Sequence, residues 1–131
     1  MINYYQIFLI SIFAAFGALF RYILLIFYPF NLSIFNGVFF ANTLGCFLMG
    51  VVIFISNECE IMSDVTKTAL IVGFLGSLTT FSSFGNQFFN FFEARLYIKA
   101  SAHVVLSMSA SLISLFIGYW LAKLLLNRFF I

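Results

Sequence analysis

Charge is the scarcest property of this sequence. Among 131 residues there are six Lys or Arg and four Asp or Glu, 8% of the chain, where a soluble domain carries about a quarter. The ten are also unevenly placed, and none falls in 2–20, 22–57, 68–92 or 100–122. An uncharged apolar run of 18 or more residues reads as a membrane-spanning helix, because about 20 residues cross a hydrocarbon core about 30 Å thick. Four such runs fill most of a chain that is 64% hydrophobic. A soluble globular domain is excluded.

Other absences narrow the chemistry. The single proline, Pro29, stands between the first two runs, where it marks a turn. Cys46 lies within a run and Cys59 in a connection, so the two make neither a disulfide framework nor a metal-binding spacing. One His and two scattered Cys cannot bring nucleophile, base and metal ligands together for a membrane enzyme. No carboxylate lies inside any run. A four-helix exporter of the small multidrug-resistance type, the alternative reading, needs one to bind cation and proton in turn. The net charge of +2 gives no basic tract for nucleic acid. The first run has neither a basic segment before it nor a small-residue cleavage site, so it reads as a span and not as a leader.

What is present reads as one all-α integral membrane domain over 1–131. Helices are expected at about Tyr4–Phe27, Ser33–Ser56, Lys67–Phe92 and Lys99–Asn127. Glu58, Glu60 and Asp64 fall in the second connection, Glu93 and Arg95 in the third. Orientation normally follows an excess of Lys and Arg on the cytoplasmic side. Here Lys67, Lys123 and Arg128 stand on one side against Arg21, Arg95 and Lys99 on the other. Three against three fits either a weakly biased protein or one that inserts both ways and pairs with an inverted copy.

Polar residues inside a span usually face protein or a pathway. Gly37, Ala41 and Gly45 recur every four residues, a small-residue stripe that lets another helix approach. Asn42 beside it is either a packing amide or a pore-lining one. Ser107, Ser111 and Ser114 share one face of the fourth run, as a hydroxyl track or as serines bonded back to their own backbone. His103 lies one turn before Ser107. The third run is the most unusual: Gly73 to Gly85 holds three Gly and five Ser or Thr in mid-span. Gly loosens a helix and hydroxyls offer its backbone other partners, so a break is expected near Gly76–Thr80. Irregular backbone at membrane depth is tolerated only in protein or beside a cavity; a tight packing surface is the competing reading, although a purely structural subunit would not need such a break.

These residues resemble the Fluc/CrcB fluoride channels of bacteria and archaea. The resemblance rests on Gly17-Ala18-Leu19-Phe20-Arg21-Tyr22, on Asn42-Thr43-Leu44-Gly45-Cys46-Phe47-Leu48-Met49-Gly50, and above all on Gly73 through Phe84. It implies a multi-pass protein of the bacterial inner membrane and a dual-topology antiparallel dimer with two fluoride pathways. It also implies a structural Na+ at the dimer centre, held by the backbone carbonyls of Gly76 and Thr79 in the broken third helix. Phe81 and Phe84 would form an aromatic box, Asn42 and Thr80 would join the pore, Ser107 and Ser111 would be the hydroxyl track, and Arg21 would sit near a vestibule. The chain departs from the family pattern at Ala14-Ala15, where Gly-Gly is usual, at Val38 (usually Thr), at Gln87 (usually acidic) and at His103 (often Tyr). These departures leave open pairing with a paralogue.

Overall fold

The computed structural model describes residues 3–58 and 62–126. Asn127, Arg128, Cys59 and Glu60, all named above, lie outside them. The described residues are helical, with no strand among them, in the order α1 (Tyr4–Phe27), α2 (Gly37–Glu58), α3 (Asp64–Thr68), a π-helical segment (Ala69–Leu75), α4 (Gly76–Leu78), α5 (Phe81–Glu93) and α6 (Tyr97–Leu126). Four helical stretches, with 64–93 taken together, are long and apolar enough to cross a membrane.

Local chemistry sets the boundaries. Asn3 caps α1 by accepting from the Gln6 N–H. Pro29 disfavours helix at Tyr28 and ends it. The second helix begins at Gly37 and not at Ser33. Asn31 and Leu32 take positive φ, 38° and 52°, and the Asn36 side chain then caps α2, accepting from Val38 N–H at 2.9 Å and Phe39 N–H at 3.3 Å. The third span starts earlier than Lys67 because Ser63 caps α3, accepting from Thr66 N–H. The turn from α5 to α6 is closed by Arg95 N–H to Phe92 carbonyl and Leu96 N–H to Phe91 carbonyl, both 2.9 Å. Arg95 takes φ 57° there, a left-handed cap usually given to Gly. α6 can therefore begin at Tyr97, two residues before Lys99.

Small residues bring the helices together. α2 packs most extensively on α6, and α1 on the π-helical segment. A side chain on Gly50 would run into the Leu115 carbonyl, and one on Gly118 into the Phe47 carbonyl, so α2 and α6 touch backbone to backbone. Gly17 meets the Phe74 carbonyl, while a Cβ on Gly73 would lie 2.7 Å from the Ile10 carbonyl oxygen. The stripe of α2 turns the other way: Gly37 lies against the backbone of Leu24 and Leu25, Ala41 is fully buried, and Gly45 meets the Thr79 methyl. Ala41, Leu75 and Leu78 form the core cluster. Most large apolar side chains of α1, and the outward ones of α6, stay exposed, as lipid-facing surfaces do.

Candidate functional site

The site is built around two residues outside helical geometry. Thr79 (φ −81°, ψ 151°) and Thr80 (φ −152°, ψ 120°) are extended between α4 and α5. Thr80 is also the cap of α5, its Oγ1 accepting from Ser83 N–H. The Asn42 side chain of α2 bonds this segment on both sides. Its Oδ1 accepts from Thr80 N–H at 2.7 Å and its Nδ2 donates to the Thr80 carbonyl at 3.3 Å. In a continuous helix Thr80 N–H would bond the Gly76 carbonyl, and Ser83 N–H the Thr79 carbonyl. Asn42 and the Thr80 hydroxyl divert both donors, which frees the Gly76 and Thr79 oxygens. Thr79 N–H still reaches the Leu75 carbonyl at 3.0 Å.

Around this segment lies a cleft of about 590 Å³. α2 contributes Asn42, Gly45, Cys46 and Met49, the third span Gly76, Thr79, Thr80, Phe81 and Phe84, and α6 Ser107, Ser111 and their neighbours. None of these lining residues is charged. Every expected site residue except Arg21 lines it; Arg21 is half-buried on α1, away from the cleft. Gly45, read from the sequence as part of a packing stripe, and Cys46 and Met49, given no role there, follow Asn42 at i+3, i+4 and i+7, the spacing of one helical face. Ser114 leaves the hydroxyl track. Its Oγ donates to the Thr43 carbonyl of α2 at 2.9 Å, so it fastens two helices instead.

The two motif phenylalanines differ in setting. Their ring centroids are 5.5 Å apart. Phe84 is 8% exposed and Phe81 77%. Behind Phe84, His103 stacks at 4.7 Å with 27° between ring planes, and its Nδ1 lies 3.4 Å from Ser107 Oγ. Gln87 Nε2 donates to Asn36 Oδ1 at 3.0 Å. Two buried atoms in this region, Gln87 Oε1 and His103 Nε2, make no hydrogen bond of good geometry among the described residues. Val38, in the first turn of α2, is fully buried and not on the cleft.

Known proteins match this sequence. The family model described as "CrcB-like protein, Camphor Resistance (CrcB)" matches residues 8–119. A Shewanella oneidensis protein named "Fluoride-specific ion channel FluC" is 37% identical over 112 residues, covering 84% of this chain and 90% of its own. Proteins of the same name from Shewanella sp. (strain ANA-3) and Shewanella baltica (strain OS185) are 36% and 35% identical over the same shares. Four apolar helices and a match over most of the sequence make one conclusion: the chain is a multi-pass membrane protein of the CrcB family.

Proposed function

We propose that this chain is a subunit of a passive, fluoride-selective channel that lowers cytoplasmic fluoride across the bacterial inner membrane. The lining of the cleft carries this reading. Asn42, Thr80, Ser107 and Ser111 stand beside Phe81 and Phe84 with no carboxylate among them, in a chain whose relatives are named fluoride channels. Fluoride is small and holds its water tightly, so a pathway must offer compact donors in exchange. Amide N–H and hydroxyl O–H groups are such donors. Phe ring edges carry partial positive charge and face an anion without the full charge that would trap it. An exporter coupled to protons would need an acid in the spans.

The active form is an inverted pair, of this chain with itself or with a paralogue. Supporting this, Phe81 and Gly76 are exposed in the single chain, so the wall they begin is unfinished. The balance of basic residues favours neither orientation. The third span acts as a discontinuous membrane helix, whose freed carbonyls are ion ligands of a known kind. Gly76 and Thr79 would hold Na+ through those carbonyls, two from each copy, and their lack of helical donors fits them to a hard cation. The ion, when bound, supplies positive charge that offsets carbonyl repulsion and eases an anion nearby. The exposed apolar side chains face lipid.

Liposomes loaded with fluoride or chloride, with charge shunted by a potassium ionophore, test the assignment. Fluoride should run out and chloride stay. Equal chloride flux, or strict dependence on a proton gradient, refutes it. Cysteine labelling of the C-terminus should find both sides of the membrane; full activity of this chain alone with one-sided labelling rules out the inverted homodimer.

A further inference from the structure

His103 of α6 is fully buried and stacked on Phe84, and its Nδ1 lies 3.4 Å from Ser107 Oγ. We propose that His103 is a positioning residue which, as a neutral ring, competes with fluoride for the single proton of Ser107 and so loosens the hold of the cleft on the anion; this rests on the channel reading above. A serine hydroxyl has one proton to give. Ser107 lines the cleft, yet the only side-chain hydrogen bond it makes among the described residues is the one to His103. An anion arriving at Ser107 must break that bond before it gains a donor.

Two features set the direction of the bond. A charged ring buried in a span is costly without a carboxylate beside it. Glu93, the only acid of α5, is exposed, so the ring is neutral, with one N–H and one bare nitrogen. The Phe84 backbone carbonyl takes a weak, poorly aligned hydrogen bond from the ring. Nδ1 is the nitrogen turned to Ser107, so the N–H belongs to Nε2 and Nδ1 is left as an acceptor. The hydroxyl is then the donor of the pair. Phe84 and Phe91 contact the imidazole from α5, at centroid distances of 4.7 and 5.5 Å, and this packing keeps the ring in place. Ser111, one turn farther along α6, is in a different position. Its side-chain neighbour is the Cys46 thiol, a weak acceptor, so its proton stays available to the cleft. The two hydroxyls of the track are therefore unequal, one free to give and the other held back.

Fluoride efflux from liposomes over a series of fluoride concentrations, with charge shunted, tests this. His103→Phe keeps a ring against Phe84 but has no acceptor. The fluoride concentration giving half-maximal flux should fall roughly fivefold, the worth of about one hydrogen bond. His103→Asn should keep the wild-type value, because its Oδ1 takes the place of Nδ1 although the ring is gone. A merely structural role predicts the reverse, with the Phe variant normal and the Asn variant impaired. Ser107→Ala should give one value whether His103 is intact or the His103→Phe change is added. An unchanged value in His103→Phe, an equal fall in His103→Asn, or a fall that persists without the Ser107 hydroxyl overturns the inference and leaves the channel standing. His103→Leu removes the same acceptor and takes the place of the Phe variant should that one fail to fold. No fluoride flux from the wild type overturns both.

Discussion

Replacing Asn42 with Ala tests the centre of the site. The side chain makes two bonds to Thr80, at 2.7 and 3.3 Å, and Thr80 is 8% exposed. A hydrogen bond contributes about 1 kcal/mol net, so Asn42→Ala should remove about 2 kcal/mol from the extended form of Thr79–Thr80. That is a factor of about 30 in its population against a competing form. The competitor is at hand: Thr80 N–H, released, can return to the Gly76 carbonyl and restore the helix. Fluoride efflux should fall at least tenfold, with the protein still monodisperse in detergent because apolar packing is unchanged. Asn86→Ala, at an exposed position of α5, is the control and should change nothing. If Asn42→Ala conducts like the wild type, the amide is not what holds this backbone.

Three further outcomes follow from other contacts. Phe81→Ile and Phe84→Ile keep the segment apolar but lose the ring edge, so flux should drop roughly tenfold, while Phe27→Ile, an exposed ring on α1, leaves efflux unchanged; equal flux in all three removes the aromatic box from these positions. Gly118→Val drives a side chain into the Phe47 carbonyl and should cost about 1–3 kcal/mol, seen as a lower melting temperature in detergent; wild-type melting refutes the backbone contact between α2 and α6. Arg95→Gly relieves a left-handed cap and should raise stability by up to about 1 kcal/mol; a less stable variant shows that the arginine side chain matters more than its φ.

The four spans were legible because charge is excluded from lipid and ten charged residues punctuate the chain. The cleft-lining residues were legible for a different reason: polar groups in an apolar run stand out. Partners distant in sequence were not. Asn42 could be read as a packing amide or a pore amide, and the structure gives it a bond to a backbone 38 residues away, which no local pattern reports. Ser114 shares its helical face with Ser107 and Ser111, yet Thr43 of the neighbouring helix captures it. Gly118 passes unnoticed in the sequence, and Gly50 enters it only as the end of a motif block, because each acts through the other helix. The uncharged run extends to Ser33 and beyond it, so composition does not mark the start of α2, whereas Asn36 sets it through cap geometry.

The π-helical segment has a consequence for how the length of this gene product can vary. Each turn closed at i+5 encloses one more residue than an α-turn, so Ala69–Leu75 stores a surplus residue within the third span. Deleting a residue elsewhere in that span rotates everything beyond it by about 100°, the angle per residue of an α-helix, and would swing Thr80, Phe81 and Phe84 off the cleft. A deletion within 69–75 is absorbed by rewinding to ordinary α-turns, with both flanks still in phase. The third span can therefore lose one residue within 69–75 while the motif beyond it keeps its bearing.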